Sequence, residues 1–136
     1  MLQKWLFGIG GGVVLMFIML FLFLGNSASE DTLLAKNIME KANSGTTVVS
    51  LNKLTDFDWE KAQIFGPYTT KEVIEETLDI QFKGSISGLD VREDIFLLVF
   101  AKEGHAIKTA VLYRNIGDYS TKNGMLTPDN DLLSIK

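Results

Sequence analysis

Apolar positions along this chain fall into three patterns, and each predicts a different kind of element. The first is unbroken. Residues 5–24, WLFGIGGGVVLMFIMLFLFL, carry no charge, and the Trp5 indole is their one hydrogen-bonding side chain. At ~1.5 Å rise per residue the stretch spans ~30 Å as a helix, the hydrocarbon thickness of a bilayer, and a helix satisfies its own backbone groups there. The second pattern has the period of an amphipathic helix. Leu34, Ile38 and Ala42 form a stripe with Leu33 and Met39 beside it. This predicts a helix capped by Ser29, with Glu30 and Asp31 in its first turn, and stopped by Asn43, Ser44 and Gly45. The third pattern is strand-like and recurs several times before the end of the chain.

Residues 46–51 are short and β-branched, which predicts a strand. In DFDWEKAQIFGPYTTKEVIEETL, Asp56, Asp58 and Glu60 alternate with Phe57 and Trp59, the period of a strand with one wet face. The extended run predicted here continues through Phe65 to a corner at Gly66 and Pro67. Thr69, Thr70, Lys71 and Glu72 then read as a capping box, with Tyr68 and Val73 at the two staple positions. Val73, Ile74, Thr77 and Leu78 are the predicted buried stripe of a helix ending near Asp79. Residues 81–87 alternate with Phe82, Gly84 and Ile86 on one face, and Gly84 marks a bulge or a close backbone approach. Residues 95–101 are continuously apolar and suit a central strand. Glu103 and Gly104 predict a hairpin into residues 105–114, where Ile107, Thr109, Val111 and Tyr113 share a face. Thr127 and Pro128 would start a last short helix, or the tail beyond them is loose.

This order predicts an α+β fold: an N-terminal transmembrane helix, then a small antiparallel sheet with helices on one face. The expected boundaries are a signal-anchor segment at 1–25, a linker and amphipathic helix at 26–45, an α+β extracytoplasmic domain at 46–121, and a tail or short helix at 122–136. Lys4 is the one basic residue before Ser27, and Glu30 and Asp31 follow the apolar stretch, so the positive-inside rule predicts an N-in, C-out single pass in the cell membrane. The stretch exceeds the ~7–15 apolar residues of a cleaved signal, which favours a retained anchor. The alternative is cleavage in the small, polar run Gly25-Asn26-Ser27-Ala28-Ser29, giving a secreted or periplasmic form.

Composition narrows the function. The chain of 136 residues has 17 acidic against 13 basic residues, one histidine and no cysteine. An acidic domain has no electrostatic footprint for nucleic acid or anionic headgroups. Without cysteine there is no disulfide frame and no lipid-modified cysteine, so an exported domain must hold together by packing. No Gly-x-Ser-x-Gly, His-Glu-x-x-His, Walker or Rossmann pattern occurs. No cofactor or metal is expected, because Asp56, Asp58 and Glu60 lack the glycine and twelfth-position glutamate of a calcium loop. The spacing of Gly8 and Gly12 allows weak self-association of membrane helices. Trp59, Tyr68 and His105 are the expected partner contacts, since aromatic residues anchor interfaces and an isolated histidine lacks the second group that catalysis uses.

The segment Trp59-(four residues)-Ile64-Phe65-Gly66-Pro67-Tyr68-Thr69, followed by a helix and an apolar strand, resembles small exported bacterial proteins to which no activity is assigned. The resemblance covers roughly residues 48–120. It implies a bacterial envelope location and carries over no functional residue. The expected function is therefore a non-catalytic, membrane-anchored extracytoplasmic domain that binds another envelope protein. A cleaved, secreted inhibitor or immunity-type protein using its acidic strand face is the alternative, and a hydrolase using carboxylates alone (Asp56 with Asp58, or Glu93 with Asp94) is the third reading.

Overall fold

A computed structural model describes residues 27–136 of the chain. The expected membrane segment at 5–24 and the packing of Gly8 and Gly12 lie outside the described residues. Among the described residues no helix is long and apolar enough to cross a membrane.

The fold is α+β and is built around β4 (Ile95–Lys102). Its side chains alternate between two cores. Ile95, Leu97, Val99 and Ala101 enter one, and Leu98 and Phe100 enter the other. Burial on both faces is why this strand is continuously apolar rather than alternating. It lies between β3 (Lys61–Phe65) and β5 (His105–Tyr113), antiparallel to both. The outer edge of β5 pairs in parallel with β1 (Ser29–Glu30), completing a four-stranded sheet in the order β1-β5-β4-β3. Glu103 and Gly104 both take positive φ, 52° and 77°, as a two-residue hairpin between β4 and β5 requires.

Helices cover both faces of this sheet. α1 (Thr32–Asn43) places Leu34, Ala35 and Ile38 in the core with Leu98 and Phe100. That same core is closed by a second, antiparallel sheet of β2 (Val48–Ser50), β7 (Leu132–Ile135) and β6 (Tyr119–Ser120), with β7 in the middle. The short α2 (Leu51–Leu54) follows β2 directly. On the opposite face α3 (Lys71–Leu78) buries Ile74 and Leu78 against Leu97, Val99 and Ala106.

Several elements differ from the sequence expectation, each for a local reason. The main sheet is mixed rather than antiparallel, because Ser29 and Glu30 pair with Lys108 and Thr109 instead of opening a helix. Asp31 takes over as the cap of α1, accepting from the Leu34 amide at 2.9 Å. The helices lie on both faces because β4 has two dry faces to cover. The capping box is displaced by one residue. Thr70 caps α3 through the Val73 amide at 3.3 Å, while Thr69 donates to Gly66 O at 2.7 Å. Val73 is consequently exposed and no staple forms with Tyr68. Residues 56–60 keep their wet–dry alternation without joining a ladder, and residues 81–87 make isolated bridges at Gln81 and Lys83 only. The expected single face of β5 is split, since the register shifts between Phe100 and Ala101 and leaves Ile107 extra. Ile107 packs with Leu98 and Phe100, whereas Val111 packs on the other side.

The C-terminal residues are neither loose nor helical. Thr127 and Asn130 close a turn, and Asp131 then ties the second sheet to α2. Its carboxylate accepts from the Ser50 hydroxyl and from the Asn52 amide at 3.0 Å, and its carbonyl accepts from the Leu51 amide at 3.0 Å. Burial pushes the Asp131 carboxyl up, but the donated bonds from Ser50 and Asn52 outweigh it and hold the group below the ordinary carboxylate value. Because the folded value is the lower one, the carboxylate stabilises the fold fully above the unfolded value of ~3.9 and ceases to as pH falls through the folded value. Asp131→Ala should therefore lower unfolding stability at pH 7 by ~1–2 kcal/mol, the range of a charged hydrogen-bond acceptor discounted for partial exposure. In denaturant titrations the gap from the parent protein should close below about pH 4.

Candidate functional site

Several exposed side chains gather at one end of the main sheet, where β3 ends, β4 begins and β5 ends. The corner at Gly66 and Pro67 leads into Tyr68, whose φ is +64°. Tyr68 is the one aromatic among the described non-glycine residues with positive φ; the others are Asp79, Ser87 and Glu103. Its amide is held by Leu89 O at 2.9 Å and Arg92 O at 3.3 Å, which fixes the corner against the short 3-10 turn Leu89–Val91. The ring projects outward and is 59% exposed, its hydroxyl donating to Glu93 at 3.3 Å. Beside it Val91 is 75% exposed, and at the end of β5 Tyr113 is 44% exposed.

Arg92 joins these residues. Its Nε and Nη2 fork onto Asp94 at 2.8 and 2.7 Å, and Nη1 donates to Ser87 O at 3.3 Å. The hydrogen bonds between them raise the Arg92 pKa, with Tyr113 adding to the effect, and lower that of Asp94. Arg92 is thus a fixed, ionised fork whose charge is largely compensated by Asp94. Behind it runs a groove of about 430 Å³. Thr32, Ala35 and Met39 of α1 line one side, Ser87 and Arg92 the other, and Val111 and Tyr113 the floor. β1 ends at Glu30, so past Thr109 no described strand pairs with the outer edge of β5. The Tyr113 amide there has only the Met39 sulfur, a weak acceptor, at 3.5 Å.

Of the partner contacts expected from sequence, this end contains Tyr68 alone, together with Glu93 and Asp94 of the hydrolase reading. Trp59 lies toward the opposite end of the sheet and is only 6% exposed, packed edge-to-face on Phe100 with centroids 5.3 Å apart. Phe57 meets the same ring at 5.1 Å, so the two form an aromatic core cluster. His105 opens β5 beside the hairpin turn, half-buried, with its Nδ1 shielded and without a hydrogen-bond partner. The three are not brought together. Val91, Arg92 and Tyr113 were missed, because exposure of a valine or a strand-end tyrosine leaves no mark in the sequence. Two signals were present: an unpatterned valine in a polar turn, and an arginine two residues from an aspartate.

The carboxylate candidates fall at both ends of the sheet. Asp94 sits in the Arg92 fork, and its depressed pKa does not suit a general acid. Glu60 accepts from the Glu103 amide at 2.5 Å, and Asp58 approaches Lys102 at 4.0 Å. Asp56 and Asp58 line a polar cleft of about 320 Å³ with Asn52 and Trp59. Among the described residues no three histidine, cysteine or carboxylate side chains are grouped to hold a metal ion. In comparisons with protein-family models, curated proteins and solved structures, nothing matches this chain.

Two substitutions separate packing from surface roles. Trp59→Ala should cost ~3–5 kcal/mol in thermal or denaturant unfolding, as for other buried large aromatics. Tyr68→Gly should leave stability unchanged or raise it by up to ~1.5 kcal/mol. Relief of left-handed strain is worth ~1–2 kcal/mol, and the added freedom of glycine in the unfolded chain takes back ~0.5–1 kcal/mol.

Proposed function

We propose that this chain is a non-catalytic, membrane-anchored extracytoplasmic domain that binds another envelope protein through the surface around Tyr68, Val91, Arg92 and Tyr113. The observation that carries the reading is Tyr68. A bulky residue is held at φ +64° while its side chain stays largely in solvent, so the fold bears strain without a packing gain. Strain of this kind persists where a side chain must be presented. Tyrosine and arginine are the residue types enriched at interface centres, and a pre-formed Arg92 fork loses little freedom on docking. The adjacent groove and open β5 edge add main-chain donors and acceptors for a partner's extended segment.

The N-terminal ties of the fold bear on the released reading only where the cut falls within residues 27–29. Cleavage after Ala28 would remove the Ser27 bridge to Lys83 and the bond from the Ala28 amide to Lys83 O. Of the acidic face that the secreted-inhibitor reading uses, Glu60 is tied to the Glu103 amide, while Asp58 stays exposed.

The test is photocrosslinking in native membranes from three positions. A photoreactive residue at Tyr68 or Val91 should give one and the same envelope-protein adduct, and one at Leu132, exposed on the second sheet, should not. Arg92→Ala should reduce the adduct at Val91 at least several-fold without unfolding the domain. No adduct at either position, or the same adduct from Leu132, would refute the assigned surface.

A further inference from the structure

The chain passes from its apolar stretch into the fold with almost no slack. Ser27 bridges Lys83, the Ala28 amide donates to Lys83 O at 2.7 Å, and Ser29 and Glu30 pair with β5. Contact is closest at Gly84, whose φ is +128° and where a Cβ would lie 2.9 Å from Ala28 O. Only Gly25 and Asn26 separate Leu24 from these fixed residues. The Cα path from Leu24 to Ser27 therefore reaches at most ~11 Å.

The direction of β1 gives that short connection an orientation. β1 is parallel to β5, so the chain from Ser27 to Glu30 travels away from the Glu103–Gly104 turn and toward Tyr113. Carried back from the pairing of Ser29 with Lys108, the register puts Ser27 about level with Ala106. From that level the turn lies ~7–10 Å behind, a height that the path to Leu24 matches, and Tyr113 lies ~23 Å ahead. Lys102, Glu103 and Gly104 make the turn polar, suited to contact with headgroups rather than insertion among acyl chains.

We infer that the domain stands on the outer leaflet with its β4–β5 turn at the lipid headgroups, so that Tyr68, Val91 and Tyr113 are held roughly 30 Å above them, facing away from the membrane. This inference rests on the anchored reading proposed above. The partner surface is then offered outward, and a partner must reach it from beyond the membrane surface or along it.

The absence of cysteine allows single-cysteine reporters. The full chain carrying Glu103→Cys or Val91→Cys is labelled with a fluorophore and reconstituted into phosphatidylcholine vesicles containing lipid with a nitroxide on its headgroup. Quenching should be several-fold stronger at 103 than at 91. A flexible Gly-Ser spacer of about ten residues between Asn26 and Ser27 should bring the two to the same low level. Equal quenching without the spacer, stronger quenching at 91, or quenching at 103 that ignores the spacer would each overturn the inference. Vesicle flotation separates the two claims: a full chain that does not float with the lipid refutes the anchor itself, whereas a floating chain without polarised quenching refutes only the stance.

Discussion

Burial of β4 on both faces is the constraint from which the rest of the architecture follows. A strand reading Ile-Phe-Leu-Leu-Val-Phe-Ala has no face it can leave wet, so two separate sets of elements must cover it. α3 with Ile80, Phe82 and Leu89 covers one side, and α1 with the second sheet covers the other. Each fully buried Leu, Val or Phe side chain contributes ~1.5–3 kcal/mol relative to exposure, which is how a domain without disulfides is held together. The second sheet exists only to close this core: β2, β6 and β7 are short, and β7 comes from the last residues of the chain. The C-terminus is therefore structural, and the Asp131 bonds to Ser50 and Asn52 secure it.

Much of this was legible in the residues, and the misses have physical causes. The central strand, the hairpin at Glu103 and Gly104 and the close approach at Gly84 were all readable, because each depends on local chemistry: continuous apolarity, a left-handed turn pair and a missing Cβ. The α1 cap at Ser29 and the helix at Thr127 were misread because long-range pairing decided them, and the capping box slipped by one residue because the Thr69 hydroxyl turns back to Gly66 O. Ser29 had a strand partner nearly eighty residues away on β5, at Lys108. Nothing near Ser29 announces that partner. Likewise the parallel β1 and the placement of helices on both faces are set by tertiary contacts that override local propensity.

The candidate site was legible only in part, and for a related reason. Aromatic residues in the stretch from Asp56 to Tyr68 look alike in sequence, yet their roles diverge. Trp59 follows the dry face of an extended run onto Phe100, while Tyr68 follows a Gly-Pro corner that turns it outward. Alternation distinguishes wet from dry within the run, but it fails at the corner, where backbone geometry decides direction. Arg92 and Tyr113 come from segments distant in sequence from Tyr68, and the three share one end of the sheet only because β3, β4 and β5 end there. The candidate site is thus a consequence of strand order, which gathers exposed aromatic and apolar groups around a compensated arginine.

The anchored state is the premise of the proposed function and of the outward stance inferred from it. It is tested most directly by the intact mass and amino-terminal sequence of the protein isolated from its native cells. The account predicts a chain that retains the apolar stretch at 5–24 and stays in the membrane fraction. A mature chain beginning at Ser29, without the Ser27 and Ala28 bonds to Lys83, would contradict it.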